Sequence, residues 1–110
     1  MWPVHCVQGS NGAEYIDGLQ LAASDHEILK GTKQKIDAIS AFGSDQEDTG
    51  LYNLLTQLDI KQVFVVGLAF DFCVGYTAED AAEEGFDTFI IKDATRSVDP
   101  DDESFMVSRL

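Results

Sequence analysis

The chain has 110 residues, of which 45% are hydrophobic and 25% are charged, and its formal net charge at pH 7 is −13. This length and composition suit one folded domain and argue against a disordered chain. Only 7 Lys and Arg residues stand against 20 Asp and Glu residues, which leaves no basic stripe for phosphate groups. Nucleic acids and anionic membranes are therefore not expected as partners.

The two cysteines, Cys6 and Cys73, are far apart and do not form a C-x-x-C motif. This spacing predicts neither a disulfide framework nor a thiolate metal site. No apolar run approaches the length of a membrane span, and no basic segment followed by an apolar core opens the chain. We therefore expect a soluble, cytoplasmic protein.

The first part of the chain is predicted to be mostly irregular. Residues 1–25 are rich in turn-forming residues and show no period of two or 3.6, so they are interpreted as a loop. The short apolar piece 27–30 is predicted to be a strand that ends at Lys30. Residues 31–45 are polar and contain two glycines, which indicates an irregular connection.

A helix followed by a buried strand is predicted next. Thr49 is a candidate N-cap, and four leucines follow it at helical spacing. The run 61–69, KQVFVVGLA, is continuously apolar, as is typical of a parallel strand covered on both faces, and Gly67 is expected to close it. The leucines are Leu51, Leu54, Leu55 and Leu58.

The remaining elements continue the alternation of strands and helices. A helix is predicted over 73–84 with Gly85 as its stop, then a strand over 86–92, a loop, and a helix over 102–110. This order favours an α/β fold, a three-layer α/β/α arrangement with a parallel sheet and right-handed crossovers. Few strands and abrupt ends lead us to expect that 1–110 is one incomplete domain, truncated at both ends.

Cys73 lies where the strand 61–69 meets the helix, at the sheet edge where α/β proteins bind ligands. A thiol in a first helical turn is favoured as thiolate by the helix dipole, and nearby N–H groups can stabilise an oxyanion. The alternative is a small apolar side chain that fills space in the core. Lys30, at the end of another predicted strand, would project over the same edge and can lower the pKa of a thiol, although such lysines are often only solvated.

Two further residues, His5 and Trp2, each allow a functional and a purely structural interpretation. His5 can bind a metal or simply hydrogen-bond, and Trp2 can stack on a flat ligand or fill core. Asp71 and Thr77 are expected to serve their local backbone, as a cap and a helix-face residue.

Four segments together resemble a known family. WPVHCVQGSNGAE, KGT followed by D and SAF, VVGLAFDFCVGYTAEDA, and DATRSVD occur in an order and spacing similar to those of the nicotinamidase branch of the isochorismatase-like cysteine hydrolases. The most specific parts are W-P-x-H-C and G-L-A-x-D-x-C-V-x-x-T-A. The resemblance covers almost the whole chain.

The resemblance implies roles for individual residues. Cys73 would attack a nicotinamide carboxamide, form a thioester and release ammonia, and Lys30 would be the catalytic lysine. The N–H groups of Ala69 and Cys73 would form the oxyanion hole, next to a cis peptide between Leu68 and Ala69. Trp2 would form a wall of the substrate pocket, and His5 would be one ligand of a divalent metal, commonly zinc.

The resemblance also implies groups that the sequence does not contain. The family's general base, an aspartate, and two further metal ligands lie upstream of W-P-x-H-C, whereas this sequence begins at Met1, and His26 does not replace the missing ligand. Ile39 stands where nicotinamidases often have tyrosine. We therefore expect a fragment of a nicotinamidase of NAD salvage, impaired by itself, with nicotinamide as its substrate and homo-oligomers when full length. The alternatives are a hydrolase of another small amide and a non-catalytic remnant that pairs with another subunit.

Overall fold

The computed structural model describes residues 6–32, 39–44 and 47–110. The predictions for Trp2 and His5 therefore fall outside the described residues. The segment 6–32 has one short 3₁₀ turn, Asn11–Ala13, and is otherwise without helix or strand.

The predicted strand at 27–30 is wrong. These residues belong to no strand within the described part of the chain, and the Leu29 side chain is 64% exposed. A four-residue apolar run becomes a strand only where a neighbouring strand takes up its N–H and C=O groups.

A small hairpin lies in the segment predicted to be an irregular connection. Strand β1 (Gly43–Ser44) pairs antiparallel with β2 (Glu47–Asp48). Gly43 has φ +93, and a Cβ there would lie 2.0 Å from the Glu47 carbonyl oxygen. Only glycine permits this close approach, so Gly43 fixes the hairpin.

Helix α1 (Leu51–Gln57) begins one residue later than predicted. Its N-cap is Gly50 in the left-handed region, and Thr49 instead accepts a hydrogen bond from the Leu51 N–H at 3.3 Å. The Tyr52 ring packs edge-on against Phe86, 6.2 Å between centroids. This contact brings α1 to the start of the next strand.

Strands β3 (Gln62–Leu68) and β4 (Asp87–Arg96) pair in parallel, which confirms the predicted α/β fold with a parallel sheet. The ladder is interrupted between Val65 and Gly67, after which Gly67 lies opposite Thr95. The Thr95 hydroxyl donates to the Gly67 carbonyl at 2.6 Å. This pairing explains why β4 extends to Arg96, beyond the predicted end at residue 92.

Two helical segments pack on this sheet. A π-helical turn, Phe70–Val74, leads directly into α2 (Gly75–Glu83), so helical structure begins three residues before the predicted start at Cys73. Gly85 follows α2 with φ +96, as expected for a glycine that ends a helix. Helix α3 (Pro100–Arg109) begins two residues before the predicted start at residue 102, behind the N-cap Asp99.

The core lies on one face of the sheet. Val65 packs there with Phe70 and Val74 of the π turn, Ala78 of α2 and Met106 of α3. The opposite face is exposed, although the apolar run predicts a strand covered on both faces. Its exposed side chains include Phe64, Val66, Leu68, Phe89 and Ile91.

The contact between α2 and α3 is reinforced at their ends. Arg109 donates two hydrogen bonds to the Glu79 carboxylate, at 2.9 and 2.8 Å, and its guanidinium lies over the Tyr76 ring. The Glu79 carboxylate raises the pKa of Arg109, so this side chain stays charged. Among the described residues, no helix is both long and apolar enough to cross a membrane.

Candidate active site

Cys73 lies in the π turn that directly follows the carboxyl end of β3. The peptide bond between Leu68 and Ala69 is cis, as the resemblance implies. The Ala69 carbonyl then accepts the N–H groups of Phe72 and Val74, at 3.1 and 3.0 Å. The thiol is half-buried and sits at the junction of strand and helix.

Lys30 meets Cys73 even though it is not on a strand. Its Nζ donates a hydrogen bond to Cys73 Sγ at 3.3 Å, across 43 residues of sequence, and the contact is partly buried. An ammonium group at this distance can stabilise negative charge that develops at or near the sulfur during a reaction. The structure thus brings together the two side chains that the sequence singled out.

Asp71 holds a distant segment rather than its local backbone, so that expectation is wrong. Its carboxylate, 6% exposed, accepts the Val98 N–H at 2.9 Å and the Asp99 N–H at 3.1 Å. Asp99 in turn caps α3 by accepting the Asp101 N–H. The turn that carries Cys73 is therefore fastened to the start of α3.

Thr77 was likewise expected to act locally, and it does not. Its hydroxyl, on α2, accepts the Ala41 N–H at 2.8 Å. The Ala41 carbonyl accepts the Thr49 hydroxyl at 2.6 Å. These two bonds attach the segment around the β1–β2 hairpin to the helix that follows Cys73.

Glu47 is a site residue that the sequence did not single out. Its side chain is 6% exposed, and Oε1 accepts the Gly31 N–H at 2.8 Å, directly beside Lys30. Its second oxygen, Oε2, is buried without a hydrogen-bond partner among the described residues. Glu47 lies in the acidic stretch SDQEDTG, which is typical of a solvated turn, and no local signal marks one of its carboxylates as buried.

A metal site is not built by the described residues. Within 6–32, 39–44 and 47–110, no three His, Cys, Asp or Glu side chains lie together as ligands. His5 lies outside these ranges, and one histidine does not hold a zinc ion by itself. The described residues therefore provide a thiol–lysine pair, and a metal at His5 is a matter for proposal.

A half-buried thiol beside a lysine, at the carboxyl end of a parallel strand, defines a candidate cysteine hydrolase of the α/β class. The family model described as "Isochorismatase domain" matches residues 1–110. The chain belongs to the isochorismatase family.

Relatives within this family are nicotinamidases. The chain is 41% identical to the nicotinamidase of Acinetobacter baylyi over 101 residues, which cover 90% of this chain and 47% of that protein. The crystal structure of PnC1 from L. infantum in complex with nicotinate matches with TM-score 0.93 and 42% identity, covering 98% of this chain and 55% of that one. The pyrazinamidase of Pyrococcus horikoshii in complex with zinc matches with TM-score 0.86 and 35% identity, covering 99% and 60%.

The chain thus spans about half the length of the curated relatives that it matches. The fold and family are established by this similarity, whereas the activity of the whole protein is a matter of proposal.

Proposed function

We propose that the protein is a cysteine amidohydrolase that converts nicotinamide to nicotinate and ammonia. The observation that carries the proposal is the hydrogen bond from Lys30 Nζ to Cys73 Sγ at 3.3 Å. The similarity to nicotinamidases supports nicotinamide as the substrate class.

The proposed chemistry has two steps. In the first, the Cys73 thiolate attacks the carboxamide carbon, a C–S bond forms, and the C–N bond breaks as the nitrogen leaves as ammonia with an added proton. In the second, water attacks the thioester, the C–S bond breaks, and the products are a carboxylate and the regenerated thiol. The sum is one amide and one water to one carboxylate and one ammonium ion.

The surrounding groups have separate proposed roles. Lys30 donates to Sγ and offsets the negative charge that develops on the substrate. The N–H groups of Ala69 and Cys73 are the proposed oxyanion hole, since both belong to the turn after β3. An aspartate upstream of the W-P-x-H-C segment is the proposed base that takes the thiol proton, by resemblance to the family.

Several finer features are also proposals. Trp2 is the proposed pocket wall and His5 a proposed ligand of a divalent metal, zinc being the metal named for the P. horikoshii relative. No step above passes through a metal. We further propose a cytoplasmic role in NAD salvage, with nicotinamide as the small-molecule partner and a homo-oligomeric whole protein.

Ammonia release tests this function. The protein that carries this chain is incubated with nicotinamide and, in parallel, with a ureido compound, and ammonia is measured by a coupled assay. We expect release from nicotinamide, loss of release in Cys73→Ala, and a fall of at least about tenfold in Lys30→Met, since one charged group at a reacting centre is worth that factor or more.

The competing functions predict other results. Release from the ureido compound alone would favour a hydrolase of a different small amide. Inertness toward both, with Cys73 and Cys6 alkylated equally slowly, would favour the non-catalytic remnant. Either outcome would overturn the nicotinamidase proposal.

A further inference from the structure

Lys30 reaches Cys73 from a stretch of the described chain that belongs to no helix or strand. Its neighbours Leu29 and Gly31 are in irregular structure, and Leu29 is 64% exposed. A long lysine side chain has several rotatable bonds and loses roughly 2 kcal/mol of conformational entropy when it is held in one place. The position of the Nζ atom therefore depends on what fixes the backbone beside it.

Glu47 fixes that backbone. Its Oε1 accepts the Gly31 N–H at 2.8 Å, one residue from Lys30. Gln8 also contacts this stretch, since its Nε2 donates to the Thr32 carbonyl at 3.1 Å, but Gln8 is itself exposed. The buried carboxylate attaches the backbone beside the lysine to a defined element, strand β2.

The attachment leads back to the helix that follows the thiol. Strand β2 is held to β1 by the hairpin that Gly43 permits, and the residues flanking this hairpin are tied to Thr77 through Ala41. Thr77 is four residues after Cys73 on the continuous helical segment. The two members of the reactive pair are therefore connected through the hairpin as well as by their direct contact.

The other oxygen of Glu47 is evidence that this arrangement is not made for stability alone. A buried carboxylate oxygen with no hydrogen bond disfavours folding, and an apolar side chain of similar size would avoid that cost. Oε2 is such an atom among the described residues. The bond that Glu47 does make, from the Gly31 N–H to Oε1, holds the backbone next to Lys30.

We propose that Glu47 is a positioning residue that holds Lys30 Nζ over Cys73 Sγ, without itself touching the substrate or the thiol. This role rests on the proposed function, because positioning Lys30 matters for catalysis only if Cys73 and Lys30 act together in amide hydrolysis. It concerns a contact that can be measured without any substrate, however, because alkylation of Cys73 reports directly on the thiolate.

The test is a double-mutant cycle on the alkylation rate. In a Cys6→Ser background, iodoacetamide labels Cys73 alone, and its rate is followed at neutral pH. We expect Lys30→Met to slow labelling by about tenfold, since it removes the ammonium group beside Sγ, and Glu47→Ala to slow it several-fold, since that ammonium group is then held less firmly in place. We expect Glu47→Ala to have no further effect when Lys30 is already methionine.

Two conservative variants distinguish the length of the side chain at position 47 from its charge. Glu47→Gln keeps an oxygen at the same distance for the Gly31 N–H, so it should label at close to the parent rate. Glu47→Asp keeps the charge but is one methylene shorter, so it should label as slowly as Glu47→Ala. Asp48→Ala, which removes an exposed acid from the same strand, is the matched control and should label at the parent rate.

The results that would overturn the proposal are equally defined. One is an unchanged labelling rate of Cys73 in Glu47→Ala. Another is that Glu47→Ala slows labelling equally whether residue 30 is lysine or methionine. The third is that Glu47→Asp labels at the parent rate whereas Glu47→Gln labels slowly. Urea unfolding of each variant shows that the compared chains are folded. Absence of ammonia release with an intact labelling cycle would count against the proposed substrate and not against this role of Glu47.

Discussion

The two sides of the Lys30–Cys73 contact are built very differently. The thiol side, residues 62–110, contains the parallel strands, two helices and the whole of the buried cluster around Val65 and Met106. The lysine side, residues 6–32, is almost entirely exposed and has one 3₁₀ turn. A reactive pair can therefore combine a nucleophile in a packed core with a partner from an exposed, irregular segment.

The difference predicts where substitutions should cost stability. On the thiol side, side chains are confined by neighbouring backbone and by buried polar bonds. On the lysine side, single bonds at the surface connect stretches of irregular chain. The following changes, from the largest expected effect to the smallest, probe that difference.

Asp71→Ala should have the largest effect on stability. It leaves the N–H groups of Val98 and Asp99 without their acceptor beside the core, and bonds to a charged group are worth about 1.5–3 kcal/mol each, so a loss of roughly 3 kcal/mol is expected. Urea unfolding measures it, with Asp87→Ala at the exposed start of β4 as control. Equal midpoints for the two variants would mean that the thiol turn is not fastened through Asp71.

Gly75→Ala should have the next largest effect. A Cβ at this position would lie 2.4 Å from Met106 Sδ and 2.5 Å from the Phe70 carbonyl oxygen. The methionine can move but the carbonyl belongs to the π turn, so overpacking should cost about 2 kcal/mol.

The matched control for Gly75→Ala lies on the lysine side. At Gly12, the nearest atom to an added Cβ is 3.7 Å away, so Gly12→Ala should leave the urea midpoint nearly unchanged. If both alanine variants unfolded at the same urea concentration, the two sides would not differ in packing as described.

Loss of the Tyr15–Glu27 hydrogen bond should have the smallest effect on stability, and this effect should depend on pH. Glu27 accepts the Tyr15 hydroxyl, and this bond raises the pKa of Tyr15 above its ordinary value. The pKa of Tyr15 is higher in the folded chain than in the unfolded chain, where it is about 10. The hydrogen bond therefore stabilises the fold fully below about pH 10, and this stabilisation is lost as the pH rises through the folded pKa.

Ultraviolet titration of the tyrosines tests this prediction. One tyrosine should ionise at higher pH than in the unfolded chain, and Glu27→Ala, which removes the acceptor, should abolish this delay. Tyr15→Phe should abolish that late phase, whereas Tyr52→Phe should not. A late phase that survives Tyr15→Phe would assign the delay to another residue.

The sequence identified the sheet because its signals there are local and strong. The apolar run 61–69 predicts β3, and Gly85 correctly ends α2. The sequence does not predict the end of β4 because three of the residues 93–96 are polar, and pairing with the bulged end of β3 makes this segment a strand. Tertiary pairing here overrides local preference.

Only part of the site could be predicted from the sequence. Cys73 was singled out by its place after a strand, and Lys30 by a predicted strand that the structure does not contain, so its contact with the thiol depends on other residues. Glu47 and Asp71 were missed as long-range connectors. Their partners are backbone N–H groups 16 to 28 residues away, and no spacing rule within one element reveals such a bond.

The bond from Asp71 to the segment before α3 has a consequence for amide hydrogen exchange. Val98 is 54% exposed and Asp99 is also exposed, so their side chains belong to the surface. Their N–H groups nevertheless point to a buried carboxylate, and an amide exchanges only when its bond opens. The amides of Val98 and Asp99 should therefore exchange as slowly as those of the packed strands. Their hydrogen bonds to Asp71 should open together with the turn that carries the thiol.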